Sequence, residues 1–206
     1  MDRRKVGIMG GTFDPIHIGH LILGESAYEQ FGLEKVLFMP SGNPPHKRER
    51  HGASNEERIE MVKRAIAPNH HFELSLAEMH EEGYTYTRLT LRALRAEHPD
   101  TDYYFIMGAD SILSFDSWNG PQEIADQCIL VAAVRDLSSG EFNEAIEHVR
   151  EKYHADIRRL GSPNLDISSH TIRSYVEEGR SIWYYVPDQV RSYILERGIY
   201  RRALDG

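Results

Sequence analysis

The chain has 206 residues, 40% of them hydrophobic and 27% charged, with a formal net charge of −8 and one cysteine. That length suits a single domain with a sizeable core, and the composition is globular rather than disordered. One cysteine excludes an intrachain disulfide framework and a multi-cysteine zinc site, and the acidic balance excludes a general nucleic-acid coat, though not a small anionic ligand.

Residues 1–5 are basic and lead into the apolar run 6–9, which is too short for the apolar region of a signal peptide. Runs such as 129–134 fall well below the ~20 residues of a membrane-spanning helix. No membrane partner, no nucleic acid and a cytoplasmic location are therefore expected. Residues 5–9 read as a first strand followed by Gly10 and Gly11, residues 18–31 as a helix stopped by Gly32, and residues 35–39 as a second strand ended by Pro40. The stretch 41–53 is polar, carries Pro44 and Pro45, and reads as a loop. Ser54 stands three residues before Glu57, a capping-box spacing that opens a helix over 55–67. A strand follows at 72–76, then a helix at 87–98 that stops at Pro99, and an aromatic strand at 103–107. Short helices are expected at 111–115, with Asp110 as a candidate cap, and at 121–126, with Pro121 in its first turn. A buried strand at 129–134, a helix at 141–153 and a brief strand at 157–160 come next. The chain closes with helices at 169–178 and 189–196, the latter capped by Asp188 and ended by Gly198. Strands alternating with helices imply α/β architecture: a doubly wound, mostly parallel sheet in a single domain, 1–206, with a helical segment from about 165 to 206 packed on it. Ligands bind such sheets beyond the carboxyl ends of the strands, so the segments after Met9, Met39, Met107 and Val134 are where a site is expected.

The first of these segments runs from Gly10 to His20. Two glycines let the backbone approach a ligand closely. His17 and His20, three apart at a helix start, share one face above a helix N-terminus that favours an anion. This arrangement suits a polyphosphate; a metal pair or two surface histidines are the plainer alternatives. The dinucleotide fingerprint Gly-x-Gly-x-x-Gly is missing at this turn, and no Gly-Lys-Ser/Thr follows to make a P-loop. A second segment, Ile167-Ser168-Ser169-His170-Thr171-Ile172-Arg173, offers cap oxygens and free N–H groups at a helix start, with Arg173 one turn in. Alone, it reads as an ordinary capped helix.

Gly11-x-Phe13-x-Pro15-x-His17-x-Gly19-His20 resembles the signature of the nucleotidylyltransferase superfamily. Residues 17–20 also spell the HIGH motif of class I aminoacyl-tRNA synthetases, but no KMSKS follows and a synthetase needs far more than 206 residues. The second segment is similar to the superfamily's Ile-Ser-Ser-Thr-x-Ile-Arg, with His170 where Thr is usual. Four further features narrow the resemblance to the bacterial nicotinate mononucleotide adenylyltransferase family. They are Pro44-Pro45-His46-Lys47, Thr85-Tyr86-Thr87, Gly108-Ala109-Asp110 with Trp118, and the C-terminal Val186-Pro187, Val190, Tyr193-Ile194, Gly198-Ile199-Tyr200. The first three also have plainer readings, respectively a solvated basic loop, helix capping, and a helix cap with a core aromatic.

The resemblance implies a Rossmann-like nucleotidylyltransferase fold. The implied reaction transfers the adenylyl group of ATP to nicotinate mononucleotide, giving nicotinate adenine dinucleotide and pyrophosphate, in NAD biosynthesis. It implies catalytic roles for His17, His20 and Arg173. ATP would be bound by Gly10, Thr12, Phe13, Lys47, Gly108, Asp110, Ser168 and Ser169. Nicotinate mononucleotide would be bound by Thr85, Tyr86, Thr87, Trp118 and Arg135. Mg²⁺ would ride on the ATP phosphates rather than in a carboxylate cage, so no protein metal site is expected. A relative acting on phosphopantetheine or using CTP, and a non-catalytic nucleotide sensor, are the alternative readings; homo-oligomerisation is compatible with the sequence. Cys128 is expected in the core, His46, His51, His70 and His71 in solvent, and Trp183, Tyr184 and Tyr185 against the C-terminal helix.

Overall fold

The computed structural model describes residues 3–42, 52–79, 86–134 and 140–201. Lys47 with its Pro44-Pro45-His46 run, His51, Thr85 and Arg135 lie outside the described residues. In chain order the elements are β1 (Arg4–Gly11), α1 (Ile18–Phe31), β2 (Lys35–Pro40), α2 (Asn55–Ile66), β3 (Phe72–Leu74), α3 (Thr87–Glu97) and β4 (Thr101–Met107). Then follow α4 (Ala109–Leu113), a 3₁₀ turn (Phe115–Ser117), α5 (Pro121–Ala125), β5 (Ile129–Val134), α6 (Gly140–Tyr153), β6 (Ile157–Gly161), α7 (Ser169–Glu177) and α8 (Asp188–Arg197).

The six strands form one sheet in the order β3-β2-β1-β4-β5-β6, and every pairing is parallel. Period-two alternation sorts the strand residues into two apolar layers. Val36 and Phe38 of β2, Tyr104 and Ile106 of β4, and Val131 and Ala133 of β5 face the layer built with α1, α2, α7 and α8. Tyr103, Phe105, Met107, Leu130 and Ala132 face the opposite layer, with α3, α5 and α6. Both faces are covered, which is why these strands read as near-continuous apolar runs. The chain winds from β1 outward through β2 and β3, then returns to β4 on the other side of β1. That reversal opens a crevice at the carboxyl ends of β1 and β4.

Several expectations shift. Gly10 and Gly11 belong to β1 itself, in register with Met39 and Pro40. The third strand stops at Leu74, and the fourth begins at Thr101. The helix after β4 starts at Ala109 with Gly108 at its cap, so Asp110 lies in its first turn. Pro187, not Asp188, occupies the cap of α8, and Asp188 accepts from Arg191 inside the helix. His71 is not solvated: it stacks on Tyr28 at 3.6 Å between ring centroids and hydrogen-bonds Glu25 at 2.9 Å. Tyr184 is 87% exposed rather than packed, whereas Trp183 lies under the Arg191 guanidinium of α8. Among the described residues no helix is long and apolar enough to cross a membrane.

Helix α1 sits close to the sheet because Gly24 faces it. A Cβ there would meet the Phe38 ring at 2.9 Å and the Phe72 ring at 3.2 Å. Overpacking costs about 1–3 kcal/mol, and better helix propensity returns about 1 kcal/mol. Gly24→Ala is therefore expected to lower the unfolding free energy by about 1 kcal/mol in urea titration. A variant as stable as the parent would show slack in this contact.

Candidate active site

The site begins where β1 ends. Phe13, at φ 50°, turns the chain with its side chain almost fully buried. Its ring packs over Gly11, where a Cβ would stand 3.2 Å away, and lies edge-on to the His20 ring at 5.0 Å. His17 occupies the cap position of α1 with extended backbone. Its N–H donates to His20 Nδ1 at 3.2 Å. An Nδ1 that accepts leaves the proton of neutral His20 on Nε2, as a donor. The His17 and His20 rings stack at 3.7 Å with 26° between planes. Gly19 leaves room for this pair, since a Cβ there would meet the His17 ring at 3.1 Å.

The second signature is joined directly to the first. Arg173 Nη1 donates to the carbonyl of Asp14 at 2.7 Å, and Ser169 Oγ donates to the carbonyl of Pro15 at 2.9 Å. Ser168 caps α7, accepting from the Thr171 N–H at 3.1 Å. Both serine hydroxyls are thus occupied in holding the protein together, and the first-turn amides of α7 are what this helix start offers an anion. His170 is exposed. The structure therefore brings His17, His20, Arg173, Ser168 and Ser169 together from opposite ends of the chain.

Beneath this junction lies a buried polar hub that sequence reading missed. The Asp14 carboxylate accepts from Tyr200 Oη at 2.6 Å and from the Ala53 N–H at 3.0 Å. Arg58, 3% exposed, donates to the carbonyls of Thr12 and Ser41 and to Asn55 Oδ1. Its guanidinium thereby ties the loop after β1 to the loop after β2. Burial pulls the Arg58 pKa down, while Asp14 and Tyr200 act to keep it charged. Burial, followed by neighbouring Asp14, pushes the Tyr200 phenol far up, so it stays a donor. One signal was available: Arg58 stands on the apolar stripe of α2 with Met61, Val62 and Ala65.

On the β4 side, a Cβ at Gly108 would meet nothing within 4 Å among the described residues, which leaves the strand end open to a ligand. Asp110 is exposed, and Thr12, Tyr86 and Thr87 are half-buried. Tyr86 caps α3 and Thr87 is its first residue. Trp118 follows the 3₁₀ turn, half-buried, and its ring contacts Phe105 edge-on at 6.0 Å and Phe115 at 5.8 Å. The buried Glu78 ties the loop after β2 to α3: its carbonyl accepts from Gly42 N–H at 3.0 Å and its carboxylate from Thr90 Oγ1 at 3.1 Å. Among the described residues, no group of three or more His, Cys, Asp or Glu is placed to hold a metal. The donors gathered here are the Arg173 guanidinium, imidazole N–H and backbone amides, a set suited to anions.

The cytidylyltransferase-like family profile matches residues 8–175. A Lachnoclostridium phytofermentans protein named "Probable nicotinate-nucleotide adenylyltransferase" is 44% identical over 198 residues, covering 96% of this chain and 99% of its own. A Desulfitobacterium hafniense protein of the same name is 42% identical, with 96% of each chain covered. In fold, the chain is similar to a Plasmodium falciparum nicotinic acid mononucleotide adenylyltransferase complexed with NaAD. The TM-score is 0.79 at 20% identity, over 96% of this chain and 97% of that one. With both signatures joined over the β1–β4 crevice and relatives this similar along their whole length, the chain belongs to the cytidylyltransferase-like family, in its nicotinate-nucleotide adenylyltransferase branch.

Proposed function

We infer that the protein transfers the adenylyl group of ATP to nicotinate mononucleotide in NAD biosynthesis. The observation that carries the reading is the junction of the two anion-binding segments, Arg173 on the Asp14 carbonyl and Ser169 on the Pro15 carbonyl. It sits in a chain 44% identical to a relative named for this activity. An oxygen of the acceptor's 5′-phosphate attacks the α-phosphorus of ATP. A new P–O bond forms as the bond to the β-phosphate bridge breaks, and pyrophosphate leaves with that electron pair. The attacking oxygen is already ionised near neutral pH, so the protein's work is alignment and charge neutralisation. Two unit charges 4 Å apart repel by about 4 kcal/mol at an effective dielectric of 20. His17 and the Nε2–H of His20 offset that repulsion at the reacting phosphate, and Arg173 with the α7 amides holds the leaving pyrophosphate. Mg²⁺, carried on the ATP phosphates, adds charge neutralisation when bound. Gly10, Thr12 and Phe13 flank the adenosine, with Gly108 and Asp110 at its ribose, and Lys47 adds charge to the phosphates.

The acceptor is assigned to the other half of the crevice, with Thr85, Tyr86, Thr87 and Arg135 as its polar contacts and the Trp118 ring on the nicotinate. Trp118→Ala is expected to raise the KM for nicotinate mononucleotide about tenfold or more, in line with the ~1–3 kcal/mol of a ring stacked on a base. The KM for ATP should change less than twofold. Steady-state kinetics with each substrate varied in turn checks this, and equal changes in both constants would make Trp118 structural. The same reading includes a cytoplasmic location.

A further inference from the structure

A second cluster of ionisable side chains lies two residues before Trp118. Asp116 Oδ1 accepts from Tyr153 Oη at 2.7 Å, and Asp116 Oδ2 accepts from Lys152 Nζ at 2.7 Å and meets His148 Nε2 at 2.9 Å. All three partners stand on α6. The hydrogen bonds from Lys152, Tyr153 and His148 hold the Asp116 carboxyl well below the usual carboxylate range. The cluster continues inward through rings: Tyr153 lies edge-on to Phe115 at 5.6 Å, and Phe115, fully buried, lies 5.8 Å from Trp118.

This cluster has a mechanical consequence. The regular structure between β4 and α5 is a five-residue helix and a three-residue 3₁₀ turn. Elements so short do not hold their own shape, because nucleating a turn fixes several dihedrals for each hydrogen bond gained. Their position comes from tertiary ties. Phe115 supplies one, in the core. Ile112, 1% exposed, supplies another, and Asp116 adds a polar one, fastening the turn to a fourteen-residue helix that packs on the sheet through Phe142, Ile146 and Val149.

We propose that Asp116 is a positioning residue for the acceptor substrate: gripped by Lys152, Tyr153 and His148, it sets the orientation in which the Trp118 ring meets nicotinate. The proposal rests on the assignment of Trp118 to the nicotinate ring. It is specific to the acceptor half of the site, since the ring contacts that lead inward from the cluster run through Phe115 to Trp118.

The test is kinetic, on the intact enzyme, with Asp116→Asn, Tyr153→Phe, Trp118→Ala and the double variant Asp116→Asn/Trp118→Ala. Asp116→Asn and Tyr153→Phe are each expected to raise the KM for nicotinate mononucleotide about three- to tenfold, with the KM for ATP within twofold of the parent. The double variant is expected to match Trp118→Ala alone, because a positioning residue loses its effect once the ring it positions is gone. If Trp118→Ala raises the acceptor KM while Asp116→Asn and Tyr153→Phe do not, the proposal is overturned and the Trp118 assignment stands. The proposal is likewise overturned if the two effects simply multiply in the double variant, or if both KM values rise together with a fall in the unfolding midpoint. If Trp118→Ala leaves the acceptor KM unchanged, the assignment of Trp118 fails and the proposal fails with it. Should Asp116→Asn not fold, Tyr153→Phe alone decides, since it removes one hydroxyl and keeps the ring on Phe115.

Discussion

Replacing His20 with alanine is expected to lower kcat by about 10²–10³-fold, the loss that follows removal of one preorganised donor from developing transition-state charge. The fold should survive. The contacts given up include the hydrogen bond at the start of α1 from the His17 N–H to Nδ1, the ring stack on His17 and the edge-on packing on Phe13. A lost cap of this kind costs about 1 kcal/mol. Steady-state kinetics alongside urea unfolding separates the two effects. A kcat within tenfold of the parent would move the transition-state charge to other groups, and a variant that does not fold would make His20 a structural residue. KM values should move less than kcat, because the donor acts on charge that develops mainly beyond the ground state.

Arg58→Met is expected to show the largest stability loss, about 3–5 kcal/mol by chemical denaturation, the cost of breaking a buried charge arrangement from one side. Methionine replaces much of the apolar stem but none of the fork. The carbonyls of Thr12 and Ser41 and the Asn55 side chain would lose their donor, and the buried Asp14 would lose its neighbouring cation. Arg58→Lys should recover only part of the loss, since one ammonium cannot reach all the acceptors set around a planar guanidinium, the Gly42 carbonyl among them. A loss below about 1 kcal/mol for the methionine variant would contradict the view that this residue holds the two crevice loops together.

The sheet was legible because its strands are covered on both faces. Residues 129–134 and 103–107 are apolar almost throughout, and the helices between them carry stop signals such as Gly32 and Pro99. The two segments proposed for the phosphates were legible for a different reason: each is a contiguous string, one at the start of α1 and one at the start of α7. What joins them was not. The hydrogen bond between Tyr200 and Asp14 spans 186 residues, and that between Arg173 and Asp14 spans 159. No local period or spacing marks a partner at such a distance. Asp116 has the same character, since its donors lie more than thirty residues further on. Strand ends failed for a local reason: glycine is a poor strand former by propensity, yet Gly10 and Gly11 pair because Met39 and Pro40 of β2 stand opposite. His71 looked solvated because a His-His pair at a turn is usually polar surface, and only the tertiary approach of Tyr28 and Glu25 covers it.

The most direct measurement of the proposed activity is pyrophosphate release by the purified protein with ATP, across a panel of acceptors: nicotinate mononucleotide, nicotinamide mononucleotide and phosphopantetheine, with CTP in place of ATP as a further arm. Release is predicted with ATP and nicotinate mononucleotide, matched mole for mole by nicotinate adenine dinucleotide, and far slower release with phosphopantetheine or CTP. Faster turnover with either of those, or no release with any acceptor, would contradict the assignment.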